Sequence, residues 1–230
     1  MSDSKVNTHS FLTCQGVEIL KHQKNIIWYN QSLIDNLVKG SVLPDSIEND
    51  GGLFIGHFYN PVTHDSYNHS KTLNAYTRFI SHYTNAIAMN MEGRTNEDTC
   101  CELGMALHYL EDVTEPHHAA NIANYLNTHF SDDHMEFENW VKEQSMKKFQ
   151  ISHSKEYDFA LNNSPGDILI KAAQLGNCIF LKYHKDCDII KSKWKRAAFM
   201  GLTYAQQIVA AVLYKFAVDI GAVTIDSTEK

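Results

Sequence analysis

A chain of 230 residues with 43% hydrophobic and 20% charged side chains is long enough for one domain with a sizeable core, and with only four prolines and no low-complexity tract it is not a disordered linker or stalk. Its formal charge of −7 is a poor match to nucleic acid or an anionic membrane unless bound cations offset it. The odd count of five cysteines (Cys14, Cys100, Cys101, Cys178, Cys187), with no C-x-x-C pair, suggests no disulfide framework or cysteine zinc site and makes buried free thiols the expectation.

The opening MSDSKVNTHS lacks the basic and apolar regions of a signal peptide, so the chain is either cytoplasmic or a mature form given a start methionine. Amphipathic helices are predicted over about 9–24 and 25–39, with Leu12, Ile19 and Leu20, then Leu33, Ile34 and Leu37 as apolar positions. A long stretch from Gly40 to about Ser70, rich in Gly, Asn, Asp and Pro, reads as a loop, and long ordered loops in compact domains are usually functional. Helices are then expected at about 71–91 and 96–111, the latter opened by a Thr95/Asp98 capping box and ended or kinked at Pro116. A further helix is expected at about 132–149. Ser164-Pro165 gives an N-cap followed by proline at N1, opening a helix through about Lys182. The last helix, about 192–220, carries a broad apolar stripe that includes Ala198, Leu202, Ala205, Val209, Val212 and Phe216, which reads as core. No apolar run is long enough to span a bilayer, and no alternating strand stands out, so the fold class is all-α.

One stretch, LHYLEDVTEPHHAAN (107–121), crowds His108, Asp112, His117 and His118 around a proline. His108 and Asp112 are four apart on one helix, as His134 and Glu138 are on another, and side chains at i and i+4 share a face close enough to converge on one cation. Imidazole with carboxylate is the ligand mix of zinc and related metals in catalytic sites. A single such pair reads more readily as a surface or capped histidine; two pairs with His118 just past the proline favour a metal. Gly104, one turn before His108, leaves room for a ligand or another helix. His9, Asp45 and His57 stand alone and need a further argument.

Four ordered stretches supply it: THSFLTCQGVEIL (8–20), PDSIENDGGLFIGHFYNP (44–61), LGMALHYLEDVTEPHHAAN (103–121) and HMEFENW (134–140). In these the chain resembles the bacterial zinc-dependent phospholipases C, the group of the clostridial alpha-toxin catalytic domain and the Bacillus phosphatidylcholine-preferring enzyme. The resemblance implies a compact multi-helix catalytic domain over 1–230 with a long metal-binding loop, and three Zn2+ ions. Asp45, His57, His108 and Asp112 would surround one, and His118, His134 and Glu138 a second. His9 and Asp112 would share a third with the terminal amine and carbonyl of Met1. His117 falls on a non-ligand position and reads as a lining residue; His22, His64, His69, His82, His129, His153 and His184 have no matching role and read as solvent-facing.

The implied activity is hydrolysis of a glycerophospholipid phosphodiester to diacylglycerol and a phosphorylated headgroup. Asp45 is the candidate general base, with pure metal ligation the alternative. Phe54 matches an aromatic of the family's headgroup pocket, whereas the position of its tyrosine partner is Ser46, so half of a choline cage is missing. The chain ends before the alpha-toxin's C-terminal β-sandwich would begin, which leaves interfacial binding to Leu53, Phe54, Ile55, Phe58 and Tyr59. Expected partners are a phospholipid substrate at a membrane or micelle surface and no nucleic acid, with a monomeric chain that the resemblance places outside the cell. The rivals are a zinc-dependent single-strand nuclease on the same scaffold and a metal- or lipid-binding homologue that has lost catalysis.

Overall fold

A computed structural model describes residues 7–123, 133–144, 146–185 and 188–224. Helix α1 (Thr8–Lys24) starts where the Asn7 side chain accepts from the Ser10 amide and stops at Asn25, whose φ of 51° is left-handed. Residues 25–30 therefore link rather than begin the second helix, and α2 (Gln31–Val42) opens where Asn30 caps Leu33. The link is nonetheless core: Ile26 and Tyr29 are buried, and the Tyr29 hydroxyl donates to the Leu213 carbonyl at 2.8 Å.

The stretch predicted as one loop contains structure. A one-turn helix, α3 (Pro44–Ile47), and 3-10 turns at Asp50–Gly52 and Ile55–His57 precede α4 (Ala75–Met91), which Asn74 and Thr77 open with a capping box. The central helix α5 (Asn96–Asp112) is N-capped by Thr95, as expected. Gly104 serves a helix and not a ligand: a Cβ there would lie 2.2 Å from the Leu37 carbonyl of α2, and one at Gly40 would lie 2.0 Å from the Cys101 carbonyl. Pro116 neither ends nor kinks α5. It is the first residue of a separate short helix, α6 (Pro116–Ala120), where its missing amide is harmless, and Glu115 caps that helix by accepting from the His118 amide.

Helix α7 (Asp133–Glu143) is shorter than predicted, with a 3-10 turn at Met146–Phe149 beyond it; α8 (Tyr157–Asn162) was not expected from sequence. Helix α9 (Pro165–Tyr183) has the Ser164 cap and proline at N1. A two-residue hairpin, β1 (His184–Lys185) with β2 (Asp188–Ile189), leads to α10 (Trp194–Asp219). By length and composition the 191–219 stretch could cross a bilayer, but Ile208, Val209, Val212 and Phe216 are fully buried, and α1 approaches so closely that a Cβ at Gly16 would meet Val209 at 2.3 Å. The fold is all-α. Two apolar clusters carry it, one spanning α1, α2, α4, α5 and α8–α10, the other joining α7 (Phe137, Val141) to the end of α9 and the start of α10. Cys100 is a buried free thiol; Cys14 and Cys101 are half-buried and Cys178 is exposed, so the expectation of buried thiols holds only in part, and Cys187 lies outside the described residues.

Candidate metal centre

Helix α5 delivers His108 and Asp112 one turn apart and almost wholly buried, at 0% and 5% exposure. The His108 Nε2 lies 3.2 Å from Asp112 Oδ2. The loop before α4 brings His57, whose Nδ1 is 2.9 Å from the same oxygen and 3.0 Å from His108 Nε2. From α3 comes Asp45, with Oδ1 3.6 Å from His108 Nε2 and 4.0 Å from His57 Nδ1. On the other side of Asp112, His9 Nε2 lies 3.7 Å and His118 Nδ1 3.8 Å from Oδ1. Asp112 is thus the centre of the array, with one oxygen toward each side.

A second group forms where α6 meets α7. Glu138 Oε1 is 3.2 Å from His134 Nε2 and 3.5 Å from His118 Nε2. Among the described residues, three sets of donor atoms come within 4.8 Å of one another and could each hold a cation: His9/His108/Asp112, Asp45/His57/His108 and Glu115/His118/His134. The residues singled out from sequence are therefore brought together, except Met1, which lies outside the described residues. Ser46 is exposed, and its hydroxyl is turned back to donate to the Leu43 carbonyl. Phe54 stands half-buried and edge-on to His57, at 5.3 Å between ring centres.

The surroundings fit a transition metal. His108 Nδ1 is 2.9 Å from the Ser41 carbonyl and His118 Nδ1 is 2.8 Å from the His57 carbonyl. A carbonyl only accepts, so each Nδ1 carries a proton and each Nε2 is turned toward the carboxylates, where a metal would take the place of a second proton. His57 Nε2 is buried with no hydrogen-bond partner, while its Nδ1 faces a lone pair and a carboxylate oxygen that no single proton can satisfy together. A cation among these nitrogen and oxygen atoms resolves the conflict, and the donor set is that of zinc.

Charge is balanced at the site by close pairs. Burial opposes charge on Asp112, yet His108 and His118 hold its carboxyl well below the usual range. Burial likewise opposes charge on His118, but Asp112 and Glu138 lift it to about 10. His9 is the opposite case, with burial and the neighbouring His108 pressing it down to about 3.

Two carboxylates escaped the sequence reading. Glu111 is buried at 2% exposure, receives the Thr13 hydroxyl at 2.9 Å and sits 2.8 Å from His9 Nδ1. The proton between those two atoms sets the tautomer of His9: on Nδ1, it leaves Nε2 free to face Asp112. Glu115 caps α6, lies 2.7 Å from His117 Nδ1 and reaches within 3.8 Å of His134 Nε2. An acid directly before a proline and three residues ahead of His118 was a legible cap signal; Glu111 meets His9 across 102 positions and left no local trace. His117 does not line the cavity. It is fully buried and stacks on His134 at 5.0 Å, so it backs a donor. His82 is not solvent-facing either: only 8% exposed, it bridges Glu102 at 2.8 Å and Glu48 at 3.0 Å. His22, His64, His69, His153 and His184 are exposed as expected, and His129 is outside the described residues. Phe58 and Tyr59, expected at the interface, are buried at 4% and 3%; Phe58 stacks flat on His118 at 4.4 Å. Ile47, Leu53 and Val62 are the exposed apolar side chains of this region.

Of the donors, His9, Asp45, Asp112, His118 and Glu138 floor a cavity of about 160 Å³ whose remaining wall is largely apolar, including Leu12, Phe137, Val141, Ala198 and Leu202. A family model described as zinc dependent phospholipase C matches residues 8–197. A phospholipase C of Clostridium novyi is 28% identical over 244 residues, covering 93% of this chain and 59% of its own length. One from Clostridium perfringens (strain 13 / Type A) is 26% identical over 251 residues, covering 95% of this chain and 61% of its own. The structure of an alpha toxin from Clostridium absonum superposes with a TM-score of 0.79 at 23% identity, over 96% of this chain and 67% of that one, and so shares its fold. The chain spans about three fifths of the length of these phospholipases.

Proposed function

The chain belongs to the zinc dependent phospholipase C family, and from that premise we propose that it hydrolyses the phosphodiester of glycerophospholipids to diacylglycerol and a phosphorylated headgroup. The observation that carries this reading is the buried array of imidazoles and carboxylates joined through Asp112 at the floor of an apolar-walled cavity. Three zinc ions are assigned: one to Asp45, His57, His108 and Asp112, one to His118, His134 and Glu138, and a third to His9 and Asp112. Bound zinc supplies Lewis acidity toward phosphoryl oxygens and makes water easier to deprotonate near neutral pH.

The protein's own groups do the rest. Asp45 is both donor and general base: its side chain is 49% exposed at the cavity, against 6% for Asp112, so an Asp45 oxygen can take the proton of an attacking water. Asp112 is enclosed and holds its neighbours in place. The wall of Leu12, Phe137, Val141 and Leu202 suits the apolar glycerol-proximal part of a lipid, and Phe137, only 3% exposed, leaves little face for base stacking, which favours lipid over single-stranded nucleic acid. One aromatic at the headgroup position, Phe54, without a partner at Ser46, supports turnover of phosphatidylcholine with a weak choline preference; a cation–π contact is worth roughly 0.5–2 kcal/mol, so discrimination is blurred by at most some tens-fold. The relatives named alpha toxin support a protein that acts outside the cell. The domain assignment, one catalytic domain over 1–230 acting as a monomer, belongs to this same reading.

The test is turnover by the zinc-loaded chain of phosphatidylcholine, phosphatidylethanolamine and single-stranded DNA, with and without a chelator. Chelator-sensitive release of phosphorylated headgroup from both lipids, at comparable rates, is expected. Cleavage of the DNA instead assigns the nuclease reading, and zinc binding without any turnover assigns the non-catalytic one.

A further inference from the structure

The net charge of −7 hides a segregation of charge. Between Glu143 and Glu156 the chain has three lysines and no acid, and between Asp188 and Asp219 it has four lysines, one arginine and no acid. The fold brings the two windows together. Lys148 from the turn after α7 and Lys195 and Arg196 from the start of α10 line one groove of about 460 Å³ with Trp140, Phe149 and Phe199, and no carboxylate lines it. All three cations are exposed, and no ion pair among the described residues engages them. Phe199 is 50% exposed beside them, an uncommon position for a phenyl ring that has nothing to cover it.

The groove sits beside the metal centre. Helices α7 and α10 line both: Glu138 and Ala198 face the metal-site cavity, while Trp140 and Phe199, one or two positions along the same helices, face the groove. We propose that this groove seats the headgroup of an anionic phospholipid, so that the chain docks on an anionic bilayer with the mouth of its metal site next to the surface. Arg196 offers a planar fork to a phosphate, the two lysines add point charges, and the rings of Phe199 and Trp140 lie at the level where aromatic side chains favour a membrane interface. The acidic remainder of the molecule is repelled by the same surface, which orients the chain as well as binding it. That docking serves catalysis rests on the phospholipase reading; the docking itself rests on the segregated charge and the exposed ring.

Flotation of the purified full chain with vesicles of phosphatidylcholine alone, or of phosphatidylcholine mixed with phosphatidylglycerol, tests the proposal. Wild-type protein is expected to float with the mixed vesicles, much less with the neutral ones, and to be released by salt. Each basic side chain near an anionic surface strengthens partition roughly fivefold, so Lys148→Gln, Lys195→Gln and Arg196→Gln together should weaken it by about a hundredfold. Phe199→Ser should weaken it while leaving the salt dependence intact. Turnover of a soluble short-chain phosphatidylcholine should be the same in the triple variant as in wild type. If no lipid is turned over by wild type, the phospholipase reading has failed, and the flotation result still decides the docking. Equal binding of wild type to both kinds of vesicle, or undiminished binding of the triple variant, overturns the proposal. So does inorganic phosphate that occupies the groove and displaces the vesicles at low concentration, which would assign a soluble anion instead.

Discussion

Asp45 and Asp112 show how burial sets one residue type in two environments. Asp112 lies within 4 Å of four imidazoles and is closed off from solvent, so its charge is spent entirely on holding them. Asp45 touches two of the same rings at the edge of the cavity with half its side chain open. On the proposed reading, Asp45→Asn keeps the shape and one donor oxygen but removes the base. Turnover is expected to fall by about 10²–10⁴-fold, with a much smaller loss of bound zinc. Metal content falling in step with activity would leave Asp45 a ligand only. At this scale the sequence was legible wherever spacing is short: His108/Asp112 and His134/Glu138 announce themselves four apart. Glu111 could not be read, because its partners His9 and Thr13 lie about a hundred positions away and only folding makes it more than an acid beside an acid.

Among the elements, α4 has a role that no ligand spacing revealed. It reaches the metal-binding loop through Arg78, which pairs with Glu48 and Asp50 at 3.0 Å each, and through His82. Asp50 in turn accepts the Gly56 amide at 2.7 Å, next to His57, and Tyr109 donates to Glu48 while its ring packs on His57 at 5.2 Å. Burial alone would depress His82, but hydrogen bonds to Glu102 and Glu48 lift it to about 9; burial opposes charge on Glu48, yet hydrogen bonds from His82 and Tyr109, with Arg78 nearby, bring it down to about 2. A raised histidine stabilises the fold fully below its ordinary value near 6.5 and loses that contribution as pH climbs through about 9; the depressed glutamate loses its share only in strong acid. Thermal melts of the chelated protein should therefore decline between pH 6.5 and 9. His82→Gln should lower stability by about 1–2 kcal/mol at neutral pH, a modest figure because the glutamine amide can keep one of the two hydrogen bonds, and should make that decline shallower. An unchanged pH slope in the variant would remove His82 as its source. Helix positions were legible from apolar periodicity and from caps such as Thr95 and Ser164-Pro165. The failures were local: Asn25 ends α1 by going left-handed, and α3, α6 and α8 are too short to show a period.

For the molecule as a whole, the centre acts as a clasp. Its donors come from α1, α3, the loop before α4, α5, α6 and α7, so metal held there ties together elements from residue 9 to residue 138. The elements depend on that clasp unequally. Helix α5 is buried from Leu103 to Asp112 and packs between α2 and α4, whereas α7 joins the rest through Phe137 and Val141 on the smaller apolar cluster and through His134 and Glu138 at the site. Metal bound by the folded state alone stabilises it, by about 2.7 kcal/mol per site when free zinc is a hundredfold above the dissociation constant. For a chain of this size that corresponds to roughly 5–10 °C in melting temperature per site. Chelation should thus lower the melting temperature by at least that much. It should also speed amide hydrogen exchange first in α7 and the start of α1, while α5 stays protected, because local opening starts where apolar anchoring is thinnest. Exchange that quickens uniformly, or an α7 as protected without zinc as with it, would show that packing rather than metal holds the two sides of the centre together.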